Sequence, residues 1–186
     1  MLLKFIYSLR MIEALITSKT RIKLLLKFFL NSNSQSYLRG LENDFNESTN
    51  AIRMELNKLE EAGLLISTNK GNKKLFKANT NHPLFSDINS IITKYVGIDQ
   101  IIKRIINKIG NLEKVYLTGD LAVGIDSNQI DLLFVGNNID ENYLFRLVKK
   151  AEAFISRKIF FQVCNIEEFY EKFQANKEKF LLIWQR

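Results

Sequence analysis

The segment from Ser48 to Ala78 constrains the fold most strongly, because a helical pattern passes there directly into a strand pattern. Apolar residues recur at helical spacing and predict one buried stripe, made of Ile52, Leu56, Leu59 and Ala62. The opposite face carries small polar groups and one guanidinium, from Thr49, Asn50, Arg53 and Asn57. Gly63 stands where a helix commonly ends in a left-handed residue. The segment therefore predicts an amphipathic helix with a polar outer face.

A β-hairpin is predicted immediately after this helix. Leu64 to Asn69 and Lys73 to Ala78 read as strands, and Lys70-Gly71-Asn72 between them would form a flexible, cationic turn. A helix of this kind fits the major groove of DNA, where its polar side chains can reach base edges. A basic hairpin beside it can contact phosphates. The combination is typical of DNA-binding modules.

The residues before this segment predict further helices. One begins at the capping residue Ser18, and a shorter one covers about Arg39 to Asp44, after a short strand at Tyr37-Leu38. The turn from Asp44 to Glu47 gives helix-turn-helix spacing. A polar turn containing His82 and Pro83 ends this region. We therefore expect an N-terminal helix within residues 1–18, a DNA-binding domain over 19–83 and a connecting helix over 84–97.

The positive charge is concentrated in the first part of the chain. Residues 1–80 contain 13 Lys+Arg and 7 Asp+Glu, a net charge of +6, whereas residues 81–186 contain 14 and 13, a net charge of +1. The excess therefore lies with the predicted DNA-binding region, as expected for a module that binds a polyanion beside a nearly neutral domain.

Composition excludes several other kinds of site. Cys164 is the only cysteine and His82 the only histidine, so a disulfide framework, a Cys/His metal site and a Ser-His-Asp triad are not expected. Cys164 is expected to be a buried, unreactive thiol. The apolar N-terminus is interrupted by charges, and no run reaches the roughly 18 apolar residues of a membrane span. We expect a cytoplasmic protein without membrane contact, metal or cofactor.

Residues 98–186 predict a small α/β domain, because short strands and helices alternate along them. Strands are expected over 115–118, 130–135 and 159–164, and helices over 141–157 and 167–180. The phenylalanines of the chain are expected to lie mostly in packed cores: Phe28, Phe29, Phe154, Phe160, Phe161, Phe169 and Phe173.

The first region resembles the winged-helix domains of ArsR-like transcriptional regulators. The resemblance lies in S-K-T-R-I-K-L-L, in S-Y-L-R-G-L, in L-N-K-L-E-E-A-G-L-L and in G-N-K-K-L-F-K-A-N. It implies a homodimer that binds double-stranded DNA and regulates transcription. It also implies that the major groove is contacted by Ser48, Thr49, Asn50 and Arg53, with Asn57 on the same face. The phosphates would be reached by Lys70, Lys73 and Lys74.

The second region resembles a minimal nucleotidyltransferase domain in a degenerate form, through the segment L-T-G-D-L-A-V-G-I-D-S-N-Q-I-D-L-L-F-V-G. Gly119 and Gly124 match the family glycines, and Asp120 replaces the family serine. Gln129 stands where the first metal-binding aspartate belongs, Asp131 matches the second, and the strand around Phe160 to Gln162 has no third carboxylate. Because Mg²⁺ prefers carboxylate and phosphate oxygens, the resemblance implies an inactive domain, so we assign no catalytic residue and expect no enzyme.

The expected fold is thus an α+β winged helix-turn-helix domain followed by a small α/β nucleotidyltransferase-like domain that serves dimerisation or effector sensing. Two other functions stay open at this stage. One is nucleotidyl transfer to a protein or small molecule, which would need Asp120 or Asp126 to supply the missing carboxylates. The other is a protein-interaction scaffold. The domain could also bind a small-molecule or nucleotide effector, although the charge of Asp120 opposes a phosphate at its turn.

Overall fold

A computed structural model describes residues 12, 14–155, 157–173 and 179–186, which form a mixed fold of helices and two β-sheets. The chain divides into two compact units. The first comprises the described residues within 7–93 together with 124–126, and the second those within 94–123 and 127–186. The helix predicted over residues 2–16 lies largely outside the described residues.

The first unit contains helices around a three-stranded antiparallel sheet of order β1-β3-β2. Its elements are α1 (Lys19–Leu25, continued by a π-helical turn Leu26–Leu30), β1 (Gln35–Tyr37), α2 (Leu38–Phe45), α3 (Thr49–Glu61), β2 (Leu65–Lys70), β3 (Lys73–Ala78) and the beginning of α4 (Phe85–Val96). The core is formed by residues from every layer, including Phe28, Phe29, Leu41, Phe45, Ile52, Leu56 and Phe76.

Helix α3 has the predicted ends. The Ser48 hydroxyl accepts a hydrogen bond from the Ala51 amide at 3.3 Å, which caps the helix start. At the other end Gly63 adopts a φ of +73°, and the chain then turns directly into β2. Ala62, predicted to complete the buried stripe, is exposed instead, because the helix ends at Glu61 and the chain leaves the core there.

The hairpin is tighter than the sequence predicts. Strand β2 extends to Lys70, whose partner across the ladder is Lys73, so Gly71 and Asn72 alone form the turn. Gly71 has a φ of +59°, a backbone conformation that favours glycine. The two lysines are therefore held opposite each other at the hairpin tip.

The second unit contains a four-stranded mixed sheet of order β6-β5-β4-β7, in which only β5 and β6 are parallel among the described strands. It includes the end of α4. The elements that follow are α5 (Ile98–Arg104, then a 3-10 turn Ile106–Lys108), β4 (Leu112–Thr118), α6 (Gly119–Ala122), β5 (Gln129–Gly136), α7 (Glu141–Glu152), β6 (Lys158–Cys164), α8 (Ile166–Glu168, then a π-helical turn Phe169–Phe173) and β7 (Leu181–Gln185).

One prediction for the C-terminal part was wrong, and one strand was missed. Helix α7 ends at Glu152 and not at residue 157, and the Glu152 carboxylate accepts a hydrogen bond from the Ile159 amide at 2.9 Å, which ties the helix end to the start of β6. Strand β7 was not predicted. It pairs with β4 and places Trp184 opposite Val115. The helix predicted over 167–180 is observed as far as Phe173, and residues 174–178 are not described.

The prediction that the phenylalanines lie in packed cores holds for some of the seven. Phe28, Phe29 and Phe169 are buried, and Phe154 and Phe161 are half-buried. Phe160 is 55% exposed, because strand alternation turns it away from the side on which Ile159 is buried. The side chain of Phe173 is not described. No helix within the described ranges is both long and apolar enough to cross a bilayer.

Candidate nucleic-acid interface

Most of the predicted DNA-contacting side chains are exposed on the first unit. Ser48, Asn50, Arg53 and Asn57 are exposed along one side of α3, whereas Thr49 is half-buried. The three predicted hairpin residues, Lys70, Lys73 and Lys74, are all exposed. The burial pattern of α3 explains this arrangement, since Ile52, Leu56 and Leu59 face the core and leave the polar side free.

A groove of about 710 Å³ lies between the first turn of α2, the outer side of α3 and the hairpin. It brings together half of the predicted DNA-contacting residues, namely Arg53, Asn57, Lys73 and Lys74. The other half lies outside its lining, namely Ser48, Thr49, Asn50 and Lys70.

The groove also has lining residues that sequence reasoning did not assign to a site. Leu38, Arg39 and Gly40 come from the first turn of α2, and Tyr37 precedes that helix. A signal for Arg39 was present, because helix-turn-helix spacing brings the first turn of α2 near α3. Asn72 also lines the groove. Its position depends on the twist of the hairpin, which residue types alone do not determine.

Lys74 differs electrostatically from the other cations of the groove. Its ammonium lies 2.6 Å from the Glu60 carboxylate and 5.4 Å from the centre of the Phe76 ring. The hydrogen bonds from Lys74 and from the Ser67 hydroxyl lower the pKa of Glu60, so this carboxylate stays ionised. Lys74, predicted to reach phosphates, is therefore already held in an ion pair.

The remaining three cations of the groove are Arg39, Arg53 and Lys73. No carboxylate lies within 4.0 Å of their charged nitrogens in the described part of the chain. Asp and Glu are also missing from the described residues that line the groove. The groove therefore presents uncompensated positive charge from two helices and the hairpin.

Helix α3 is held in place on its inner side by an ion pair with α1. Glu55 is only 9% exposed, and its carboxylate accepts from Arg21 Nε at 2.7 Å. Burial raises the pKa of Glu55, but the hydrogen bonds of Arg21 and Ser18 and the charges of Arg21 and Lys58 together bring it below its ordinary value. Sequence reasoning treated this face as purely apolar and missed the pair.

A second candidate site lies at the turn from β4 into α6 in the second unit. Thr118 and Asp131 are partners across the β4–β5 ladder, and Gly119 follows with a φ of +65°. Gln129 Nε2 donates a hydrogen bond to Asp131 Oδ1. The other carboxylate oxygen of Asp131 lies close to Gly119, since a Cβ built there would be 2.5 Å from Oδ2. Three of the four predicted residues of the degenerate site therefore meet.

The surroundings of Asp131 carry few further anionic oxygens. Asp120 is exposed on α6. Phe160 is the β6 partner of Asp131, so an exposed aromatic residue pairs with Asp131 on the strand around Phe160 to Gln162, where the resemblance predicts a third carboxylate. No group of three or more His, Cys, Asp or Glu residues placed to hold a metal ion occurs among the described positions.

The sole cysteine and the sole histidine have structural surroundings. Cys164 is buried against Tyr116, Leu133 and Phe169, and burial raises the pKa of its thiol to about 11. This confirms the predicted buried thiol. The Nδ1 atom of His82 accepts a hydrogen bond from the Leu84 amide at 3.1 Å within the turn before α4.

Comparisons with known proteins find little. No family model matches the chain, and no curated protein is significantly similar to it. A crystal structure at 1.40 Å resolution, of a protein from Sulfolobus solfataricus provisionally assigned as a nucleotidyltransferase, is 27% identical over 48% of this chain and 78% of that chain. Its TM-score is 0.34, which does not establish a shared fold.

Proposed function

We propose that the chain is a DNA-binding transcriptional regulator and that its first unit is a winged helix. In this assignment α2 and α3 form the helix-turn-helix, α3 is the recognition helix, and β2 with β3 is the wing. One observation supports the proposal above the others. Arg53 of α3 and Lys73 of the hairpin line the same groove, and neither has an ion-pair partner in the described residues.

The recognition step follows from the residue types on the exposed side of α3. Arg53 has the planar, bidentate donor that matches the two acceptors of guanine in the major groove, a contact that contributes about 1–3 kcal/mol of discrimination. Asn50 and Asn57 have amides that can pair with adenine in the same way. The Ser48 hydroxyl caps the helix by accepting from the Ala51 amide, and the positive end of the helix dipole would favour a phosphate beside it. The lysines of the hairpin would add affinity that is independent of sequence and depends on salt.

We propose further that the protein binds as a homodimer to a near-palindromic site. Two recognition helices related by a two-fold axis would contact half-sites about 34 Å apart, one turn of the double helix. The second unit is proposed to supply the subunit contact or to sense an effector. It would do so as a nucleotidyltransferase-like domain without transfer activity.

The proposed lack of activity is supported by the geometry around Asp131. Metal-assisted nucleotidyl transfer needs several hard anionic oxygens around Mg²⁺. Here the neutral amide of Gln129 donates to one oxygen of Asp131, and the other oxygen packs against Gly119. The carboxylate is thus engaged in contacts within its own turn. Transfer of radiolabel from a nucleoside triphosphate to a protein or small molecule, abolished by Asp131→Ala, would overturn this part of the proposal.

The first experiment is selection from a random duplex library, followed by titration of the recovered site at two salt concentrations. We expect a discrete site, and we expect Arg53→Ala to weaken its binding by about tenfold or more. Lys73→Ala should weaken specific and random DNA equally and reduce the salt dependence. Arg146→Ala and Lys150→Ala, which remove exposed cations from α7 of the second unit, are the matched controls and should change neither.

The outcomes separate DNA binding from general electrostatic attraction. If Arg53→Ala and Lys73→Ala both behave like the two controls, the assignment of α3 and the hairpin to DNA is wrong. If the chain binds duplexes weakly, without preference, and only at low salt, the positive face serves another partner and the scaffold function becomes the better explanation.

A further inference from the structure

We propose that the groove between α2, α3 and the hairpin binds an anionic small molecule with an apolar body, and that this ligand and DNA exclude each other. The binding of the ligand depends on the groove alone. The mutual exclusion rests on the proposed DNA-binding function. The ligand would therefore be an effector that acts directly at the recognition helix.

The size and floor of the groove favour a small molecule. Its volume of about 710 Å³ lies within the roughly 300–1,000 Å³ range of small-molecule sites. Leu56 and Phe76, which are buried, form part of its floor, and Tyr37 and Leu38 are half-buried at its side. Contacts with a DNA backbone need cations at the surface and not an apolar concavity. An apolar ligand body would gain free energy by covering the parts of Tyr37 and Leu38 that are still exposed to water.

The charges of the groove favour an anion. Arg39, Arg53 and Lys73 approach it from α2, α3 and the hairpin, and each lacks an ion-pair partner in the described residues. Glu60 is paired with Lys74 at 2.6 Å and does not line the groove. A carboxylate, sulfonate or phosphate would thus meet uncompensated cations and form charge-assisted hydrogen bonds with them.

The exclusion of DNA follows from shared donors. Arg53 and Lys73 are the residues that the proposed function assigns to a base edge and to a phosphate. A ligand anion bound between them would occupy the same donors, and its body would fill the space beside α3. A bound ligand would therefore lower the apparent affinity for DNA without any change in conformation.

The binding test uses anilinonaphthalene sulfonate, an aromatic sulfonate that fluoresces in apolar surroundings, and the full chain without DNA. We expect saturable binding at one site. Arg39→Ala and Arg53→Ala should each weaken it by about tenfold, the loss of one charge-assisted hydrogen bond. Lys77→Ala, which removes an exposed lysine of the same hairpin that does not line the groove, is the matched control and should leave it unchanged. The uncharged phenylnaphthylamine should bind more weakly than the sulfonate.

A second variant separates filling of the groove from attraction of the anion. Asn57→Trp adds an apolar side chain at an exposed position of α3 that lines the groove and keeps all of its cations. It should abolish the fluorescence change while circular dichroism shows the native helix content. Ile91→Ser, at an exposed apolar position of α4, controls for binding of the probe to other surfaces and should have no effect. Binding that survives Asn57→Trp, or that only Ile91→Ser reduces, would overturn the proposal.

The exclusion test adds the probe to the protein bound to its selected duplex. We expect the apparent Kd for DNA to rise in proportion to probe concentration, with an inhibition constant equal to the Kd measured by fluorescence. Binding of probe and DNA together, without mutual effect, would overturn the exclusion and leave the groove as a ligand site. A chain that binds the probe but no duplex would overturn the proposed function and the exclusion, while the fluorescence result stands.

Discussion

We expect the backbone conformation and the packing at position 119 to require glycine. The loss of unfolding free energy in Gly119→Ala measures how strong this requirement is. An alanine there would hold a left-handed conformation at a φ of +65°, at a cost of about 1–2 kcal/mol. Its Cβ would also lie 2.5 Å from Asp131 Oδ2, so the carboxylate would have to rotate away from Gln129. Loss of that hydrogen bond adds about 0.5–1.5 kcal/mol. The total is about 1.5–3.5 kcal/mol of unfolding free energy.

A double-mutant cycle with Asp131→Ala separates the two contributions. In that background the nearest remaining atom of residue 131 is its Cβ at 3.5 Å, an ordinary contact, so only the backbone cost of about 1–2 kcal/mol should remain. Trp184, the sole tryptophan, lies in β7 opposite Val115, so urea unfolding followed by its fluorescence reports on the second unit. Equal costs of Gly119→Ala in both backgrounds would refute the proposed contact.

The matched control for this cycle is Gly110→Ala. A Cβ at Gly110 meets no heavy atom within 4 Å, and this glycine is not among those with positive φ. We expect a change within about 0.5 kcal/mol. A large effect at both glycines would mean that the unit tolerates no added methyl group, and the value at Gly119 would then say nothing about Asp131.

Three further outcomes are expected. Glu60→Gln should release Lys74 and strengthen DNA binding, with the slope of log K against log salt steeper by about 0.9 in a salt titration. Cys164, whose pKa burial raises to about 11, should react with a thiol reagent at pH 8 about 100-fold more slowly in the native protein than in urea. The pKa of Glu55 is lowered in the folded state, so its pair with Arg21 stabilises the first unit at pH values above the ordinary pKa of 4.5. This stabilisation is lost as the pH falls through the folded pKa. In acid unfolding, Glu55→Gln should therefore have a lower initial free energy of unfolding and a weaker pH dependence.

The helix and hairpin of the first unit could be predicted because local signals agree there. The elements have clear limits: Ser48 marks the start of the helix, Gly63 its end and Gly71 the turn of the hairpin. Within each element the spacing of the apolar residues follows a single period. The error at Ala62 and the omission of Glu55 have different causes. Ala62 is exposed because the helix ends at Glu61, whereas the burial of Glu55 depends on where α1 lies, since Arg21 of α1 makes burial of a carboxylate favourable on the inner side of α3.

The second unit was harder to predict because its elements depend on distant partners. Strand β7 is five residues long and has no turn signal of its own, and it is stabilised by pairing with β4. The end of α7 depends on the Glu152 carboxylate, which accepts a hydrogen bond from the Ile159 amide at the start of β6. Phe160 and Phe161 are adjacent, and strand alternation exposes one of them. Which of the two it is depends on the register of β6 against β5.

The charge asymmetry of the sequence takes a more specific form in the structure. Several cations of the first unit are used within it, since Lys23 pairs with Glu47 at 2.6 Å and Lys27 with Asp44 at 2.8 Å. These pairs join α1 and its π-helical continuation to α2 and to the turn before α3. Each such pair cancels one cation against one carboxylate, so the net charge of +6 over residues 1–80 does not show which cations stay unpaired or how closely they are grouped.

The cations that matter for a ligand are those left unpaired beside an apolar floor. Arg39, Arg53 and Lys73 meet this condition at one groove, and Lys74 would join them if Glu60 were neutralised. Net charge can explain attraction to any polyanion, but it cannot explain a preference for one anion. Shape and apolar surface supply that preference, because only a ligand with an apolar body gains from covering the half-buried Tyr37 and Leu38. The same groove can thus be electrostatically suited to DNA and sterically suited to a smaller anion, and competition between the two is the expected consequence.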